Sequence, residues 1–447
     1  MKKEYIDKKV KTDNYWLTEY NWKNKVRDQY NLPDKVQIHD ATLREGQQTP
    51  GVILKEDEQV RIAQALNDLG VDRIEVIPKM SDEDKRATKS IMKLRLDTKI
   101  LAFCSWAKED IDLALECGVD GIILDYVGNP WQAKVFWGMN PEEIVEKGVN
   151  AAKYAKKHGL YVSALIWDDM KAPEDFLKLN YTSIVEEGGV DAVSLADTYG
   201  FSMPWTIKYM VEKIKTWIPN TPIELHIHND FGMATALSLS GVAGGASIVD
   251  TAILGLGERC GNAPTEEVAL ALELILGIRT GIKLDKIYET CKVIQKISRF
   301  KIGSGKPLVG ENAFRFSSGW IYWMQNKAKK AGEMTDGPLI SGIPALGPGE
   351  SRKIDWGQYG GLKASIGDSK IIATCRFKKN GKEMPPVICP LDVESFSGTV
   401  AAESPSSKTA KELEKISKTI QHLASGFHKL KVEIISMPED SSENEDV

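Results

Sequence analysis

Disulfide chemistry has little to work with in this 447-residue chain: it carries six cysteines (104, 117, 260, 291, 375 and 389). They lie far apart with no C-x-x-C pair. That spacing excludes a disulfide framework and a zinc ribbon, and it fits a reducing cytosol. Long apolar runs are also missing. None approaches the roughly 18 residues of a membrane span, and Met1–Trp16 has no apolar core of signal-peptide length. An excess of positive charge is absent too, with 58 Lys and Arg against 63 Asp and Glu and a net charge of −5. This removes any global electrostatic case for nucleic acid or an anionic membrane surface. No Gly-rich turn follows the first strand-like run, and Gly303-Ser304-Gly305-Lys306-Pro307 lacks the spacing and the Ser/Thr of a phosphate-binding loop. A cytoplasmic, soluble protein is the expectation.

What is present is a rhythm. Residues 1–35 are polar, lysine-rich and dotted with aromatics, and read as an arm or short helices laid on the surface. From about residue 36, short β-branched runs alternate with segments of helical period. The runs are Lys35–His39, Arg73–Ile77, Lys99–Phe103, Gly121–Asp125, Tyr161–Ile166, Ala192–Leu195, Glu224–Ile227 and Val249–Leu254. Between them, Lys55–Leu69 carries an apolar stripe, and Glu109–Gly118 and Pro141–Gly159 end in the glycine that caps helices. The phrase Gly-Val-Asp recurs at 70–72, 118–120 and 189–191, each time as a helix end feeding a strand. Eight such units over roughly 240 residues predict an α/β chain built on a (β/α)8 TIM barrel over 36–280. A helical accessory subdomain is expected over 281–365 and a small α+β module over 366–436. The module shows strand-like runs at Lys370–Arg376 and Leu430–Ile435 around a helix near Thr409–Ala424. The acidic tail 437–447 is expected to be disordered.

Chemistry in such a barrel collects at the carboxyl ends of the strands. That filter picks out Asp40, Arg44, Glu45 and Gln48 after the first run, Asp197 and Thr198 after the sixth, and His226, His228 and Asp230 after the seventh. Glu258, Arg259, Cys260 and Asn262 follow the eighth. His226 and His228 alternate with Ile227, so both imidazoles point to one side of a strand. They can hydrogen-bond to neighbours in a half-buried strand, or grip one divalent cation. A carboxylate added to them leaves about half an octahedron open for water or a chelating 2-oxo acid. Glu45 can supply it from the first loop, and Asn262 offers a neutral oxygen from the last. Arg44 can stabilise charge developing on a keto oxygen or an enolate, or form a surface ion pair with Glu45.

Three long motifs then make the sequence recognisable. Asp40-Ala41-Thr42-Leu43-Arg44-Glu45-Gly46-Gln47-Gln48 resembles the D-x-T-L-R-[DE]-G-x-Q signature of the DRE-TIM metallolyase superfamily. His226-Ile227-His228-Asn229-Asp230-Phe231-Gly232 resembles its H-x-H-N-D-x-G. The segment from Gly255 to Glu266 is similar to G-x-G-E-R-x-G-N-A-x-x-E of the condensing branch, the isopropylmalate and homocitrate synthases. The resemblance implies that Glu45, His226 and His228 bind a divalent metal (Mn, Mg, Zn or Co), with Asn262 among the ligands or just outside them. It implies Arg44 as the catalytic arginine, and Arg44, Gln48 and Thr198 as contacts to the 2-oxo acid. The implied reaction is a Claisen-type condensation of an acyl-CoA with a 2-oxo acid, in a homodimer.

The pattern also breaks. The frame Val309–Tyr322 resembles the family segment that delivers a catalytic histidine, yet its two histidine positions hold Phe316 and Ile321. The fifth-strand arginine is replaced by Ala164-Leu165-Ile166-Trp167-Asp168-Asp169-Met170, which puts 2-oxoglutarate in doubt. A proton carrier is still required, and Asp168, Asp169, Glu174 and Tyr322 are the candidates. Two other functions remain open at this point: a lyase or aldolase running the reverse cleavage, and a metal-binding relative that has lost turnover and acts as partner or sensor.

Overall fold

The structure, a computed structural model, describes Leu17–Ala313 in full and, beyond that, the backbone of seven short strands between residues 354 and 434. These residues fall into two compact units that divide between Ile302 and Gly303.

In the first unit, eight strands close into a barrel in chain order. They are β1 (Gln37–Asp40), β2 (Arg73–Val76), β3 (Lys99–Ser105), β4 (Gly121–Val127), β5 (Tyr161–Trp167), β6 (Ala192–Asp197), β7 (Ile223–Ile227) and β8 (Ile248–Thr251). All neighbours run parallel, and β1 pairs with both β2 and β8. A 3-10 turn (Glu19–Trp22) and a one-turn helix, α1 (Asn24–Arg27), precede the barrel. Helices α2 (Glu56–Leu69), α3 (Asp82–Lys93), α4 (Lys108–Cys117), α5 (Pro130–Trp137), α6 (Pro141–Lys157), α7 (Glu174–Glu186), α8 (Pro204–Trp217) and α9 (Ala234–Gly244) occupy the crossovers. Helices α10 (Thr265–Ala271) and α11 (Ile287–Ser298) follow β8. Every expected strand is present. The last is shorter than its apolar run because the chain turns after Thr251, with Leu254 held at φ 62°.

The recurring Gly-Val-Asp phrase acts as a clamp. Gly70 ends α2 at φ 94°, and a Cβ there would lie 2.9 Å from the carbonyl oxygen of Gly281. Asp72 then grips the strand before it twice. Its N–H donates to the carbonyl of Ile38, and its carboxylate accepts the N–H of Ile38, both at 2.9 Å. Asp120 makes the same two contacts to Ile100, and Asp191 makes them to Val162. Three even-numbered strands are thereby pinned to their odd-numbered predecessors at the amino end of the barrel.

The described part of the N-terminal arm lies against the barrel unit. Arg27 donates to the carbonyl of Leu276 at 2.9 Å and stacks on Trp22, whose ring fills the space above Gly277.

The barrel lumen is divided. One layer on β3 to β6 is apolar, with Leu101, Ile123, Leu165 and Ala196 packed together. On β1, β2, β7 and β8 the lumen is ionic. His39 Nδ1 meets Glu224 Oε1 at 2.5 Å, Ser163 donates to Glu224 Oε2 at 2.8 Å, and Arg73 lies 3.7 Å from the same oxygen. Burial opposes charge on His39, but Glu224 and Asp250 outweigh it and raise the imidazole to about 9. Burial likewise opposes charge on Glu224, yet His39 and Arg73 hold it down at about 2. Removing the charge from one member of a buried pair strands the other, at a cost of about 3–5 kcal/mol. Glu224→Gln is therefore expected to lose about that much stability in denaturant titrations. The contribution of His39 is complete below its ordinary value of 6.5 and disappears as pH rises through about 9, so the gap between variant and wild type should narrow above pH 9.

In the second unit, Lys370–Cys375 pairs antiparallel with Val387–Asp392 and with Glu433–Ile434. The strand-like runs read near 370 and 430 are thus partners in one sheet. The helix expected near 409–424 lies outside the described residues, as do Phe316, Ile321 and Tyr322.

Candidate active site at the barrel mouth

The loop after β1 is set by Asp40. Its carboxylate accepts the N–H of Thr42 and the hydroxyl of Thr265, both at 2.9 Å, and burial lifts its carboxyl to about 6 despite these bonds. Asp40 is therefore a brace. Beyond it the chain folds into a tight turn, Glu45–Gln48, which leaves Arg44 and Glu45 buried and Gln48 half-buried.

Across the mouth, β7 presents His226 and His228. Their Nε2 atoms lie 3.3 Å apart, and Glu45 Oε1 lies 3.8 Å from His228 Nε2. Each of the three side chains offers one ligand atom, and these atoms all lie within 4.8 Å of one another. Asp250 on β8 meets His226 Nδ1 at 2.5 Å, which assigns the proton to Nδ1 and turns the Nε2 lone pair toward the cluster. Burial works against charge on His226, but Asp250 prevails and raises its pKa. His228 has no such partner among the described residues. Burial and the neighbouring His226 press it down to about 3, so it is neutral and ready to donate a lone pair. Glu45 stays ionised because Arg44 and the two histidines overcome its burial.

The loop after β8 closes the far side. Gly261 sits at φ 83°, and a Cβ there would lie 1.8 Å from the carbonyl oxygen of Gly255. That turn lets Gly261 and Ala263 bond to Asn229 and Ile227 and bridges Asn262 to His228. Asn262 is completely buried, yet neither atom of its amide has a partner among the described residues. A buried amide without partners beside two imidazoles and a carboxylate is what a cation site requires of its surroundings. The donor set, two nitrogens and hard oxygens, suits a divalent first-row metal or Mg.

Arg44 is held on two sides. Its Nε donates to Glu75 Oε2 at 2.8 Å, its Nη1 donates to Glu45, and its guanidinium stacks on Phe103 at 4.5 Å. Its Nη2 is buried and unpartnered, a donor aimed at nothing within the described protein. Thr198, also buried, accepts the N–H of Asp168 at 3.0 Å through Oγ1, while its carbonyl accepts from Arg259 at 2.6 Å. Arg259 in turn grips Asp230 with two nitrogens, at 2.8 and 3.0 Å.

Not every candidate joins this group. Glu174 stands exposed in the first turn of α7, paired with Lys213 of α8 at 2.8 Å. The helix start carries it out to solvent, so the structure does not bring it to the histidines. Asp169 is buried against Tyr181 and the N–H of Ala196, a brace between β5, β6 and α7. Asp168 is consumed by Asn129, Gln132 and Lys171.

Comparison with known proteins agrees with this geometry. The profile of the HMGL-like family matches residues 35–294. The chain belongs to the HMGL-like family. It is 39% identical over 341 residues to the 2-isopropylmalate synthase of Methanocaldococcus jannaschii, covering 76% of this chain and 64% of that protein. It is 35% identical over 351 residues to homocitrate synthase AksA of Methanothermobacter thermautotrophicus, covering 78% of this chain and 86% of that one. Among solved structures, hydroxymethylglutaryl-CoA lyase from Pseudomonas aeruginosa superposes with a TM-score of 0.55 at 21% identity, over 67% of this chain and all of that one. That last likeness concerns the fold.

For an HMGL-like barrel, the residues that sequence reading missed are those that hold others in place: Glu75 behind Arg44, and Asp250 behind His226. Both are charged residues inside strands that are otherwise buried on both faces, in Arg73-Ile74-Glu75-Val76 and Ile248-Val249-Asp250-Thr251. A charge inside such a strand was the available signal.

Proposed function

We propose that this chain is a divalent-metal-dependent acyltransferase that condenses an acyl-CoA with a 2-oxo acid in a Claisen-type reaction. The observation that carries the reading is the convergence of Glu45, His226 and His228 beside the unpartnered Nη2 of Arg44, in a barrel whose relatives include isopropylmalate and homocitrate synthases. Glu45, His226 and His228 hold the metal, and Asn262 supplies an oxygen at or just outside the ligand set. When bound, a divalent cation supplies Lewis acidity to polarise a keto group. Arg44 gives Nη2–H to the keto oxygen, where negative charge grows as the new bond forms. Thr198 and Gln48 receive the 2-oxo acid carboxylate. Glu75 keeps the guanidinium flat against Phe103, so the donor is in place before the substrate arrives.

Asp250 orients His226 and strengthens it as a ligand. Asp250→Asn should weaken the affinity for Mn2+, measured calorimetrically, by about 10–100-fold without unfolding the barrel.

Three parts of the reading extend beyond the site. A homodimer follows from the resemblance of the Val309–Tyr322 frame to the segment that enters the partner's site. A reducing, cytosolic setting is supported by Cys104, Cys117, Cys260 and Cys291, all free thiols among the described cysteines. No helix among the described residues is long and apolar enough to cross a membrane. In the domain plan of arm, barrel, accessory subdomain (281–365), C-terminal module (366–436) and tail, the module is supported by the antiparallel pairing of Lys370–Cys375 with Val387–Asp392, while the barrel unit continues to Ile302.

The deciding assay is release of free thiol from acetyl-CoA and longer acyl-CoA esters across a panel of 2-oxo acids, with mass spectrometry of the product. Thiol release together with a new hydroxy acid is expected. Cleavage of hydroxyacyl-CoA or hydroxy acids without condensation would mark a lyase instead, and tight metal binding with no turnover would mark a non-catalytic relative.

A further inference from the structure

One carboxylate in the barrel lumen is engaged by nothing. Glu45 and Glu75 are tied to Arg44, Asp250 to His226, and Glu224 to His39. The carboxylate of Asp125, near the end of β4, takes part in no hydrogen bond or ion pair among the described residues. Its direction follows from strand alternation. Ile123, two residues earlier, belongs to the buried lumen cluster, whereas Tyr126 faces outward and donates to Asn180 of α7 at 2.8 Å. Asp125 therefore points into the lumen, one step nearer the mouth than Ile123. Ser105 on β3 and Leu165 on β5 are its neighbours in register.

Two cations stand beside this position. Arg44 and Lys79 both lie over Phe103, at 4.5 and 5.4 Å from the ring centre, and Phe103 pairs with Ile123. Asp125 is half-buried, so it stays reachable from the mouth. Burial lifts its carboxyl to about 6, Arg44, Lys79 and His226 pull it back, and Glu45 pushes it up.

We infer that Asp125 is the carboxylate that carries the proton in the carbon–carbon bond-forming step. The inference rests on the condensing reading above, and it fills the vacancy left where Phe316 and Ile321 replace histidines in the family frame. The step balances without another reactant. The ionised carboxylate takes a proton from the acyl α-carbon, and the freed electron pair forms the bond to the keto carbon. The keto π electrons move onto oxygen beside Arg44, and the protonated Asp125 returns its proton to that alkoxide. Water then cleaves the thioester and releases the thiol.

The test compares Asp125→Asn and Asp125→Glu with the full-length wild type, using whichever acyl-CoA and 2-oxo acid pair the thiol assay identifies. Metal content and 2-oxo acid affinity are measured by calorimetry alongside turnover. Asp125→Asn should lower kcat by about a hundredfold or more while both binding readouts stay unchanged, and Asp125→Glu should recover part of the rate. Wild-type turnover in the Asn variant overturns the inference. So does loss of 2-oxo acid binding in parallel with loss of rate, which would make Asp125 a binding residue. An inactive wild type is a different result: it removes the condensing reading itself, and this inference with it.

Discussion

His228→Ala is expected to purify without a divalent metal and to lose turnover by about a thousandfold or more, while its circular dichroism and unfolding transition should remain those of a folded barrel. The expectation separates site from scaffold. His228 is buried at the end of β7, and its Nδ1 has no partner among the described residues. Among the described residues its ring makes one side-chain hydrogen bond, the 3.3 Å contact between its Nε2 and that of His226, so little besides the ligand set is disturbed when the ring is removed. What would be lost is one of the three proposed ligands, and with it several kcal/mol of charge stabilisation on the reacting carbonyl. His226 is a less clean probe, because Asp250 would be left buried without the imidazole that satisfies it. A His228→Ala protein that keeps both metal and rate would remove the assignment of β7 to the metal site.

The second large effect falls on Arg44. Arg44→Lys should lower kcat by about 10²–10³ with little change in metal affinity. A lysine keeps the charge but offers one nitrogen where the guanidinium uses three, toward Glu75, Glu45 and the open side. The ammonium will be drawn to the two carboxylates, leaving nothing for the keto oxygen. Arg44→Ala is predicted to be worse in a different way, because Glu75 is fully buried and would lose its counter-charge. A measurable loss of stability should therefore accompany the Ala variant and be small for Lys. Equal rates for Lys and Arg at position 44 would contradict the role given to Nη2.

The barrel was legible because its signals are local and repeated. Gly70-Val71-Asp72, Gly118-Val119-Asp120 and Gly189-Val190-Asp191 each end a helix, bury an apolar residue and clamp the preceding strand. The convergence of Glu45, His226 and His228 was legible for a related reason: His226 and His228 share a strand face, and Glu45 opens the turn after β1. The supports of that cluster were not. Asp250 and His226 sit 24 residues apart and meet only because β7 and β8 pair in register, while Glu75 meets Arg44 across β1 and β2. Pairings of that kind depend on strand register, which a linear pattern does not carry. Glu174 failed for the opposite reason. Its position early in the fifth crossover suggested the mouth, but the start of α7 turns its side chain to Lys213 and solvent. In the sequence Asp125 stands out only as the last residue of the fourth strand-like run, Gly121–Asp125. Its significance emerges from the lumen, where the other acidic side chains around it are already taken.

Glu45, His226 and His228 are proposed to form one divalent-metal site that a 2-oxo acid completes. That assignment is tested most directly by calorimetric titration of the metal-stripped protein with Mn2+, with and without a 2-oxo acid. One Mn2+ per chain is expected, bound more tightly when the 2-oxo acid is present and lost in His228→Ala. Absence of Mn2+ binding, or binding that is indifferent to both the 2-oxo acid and His228, would contradict the account.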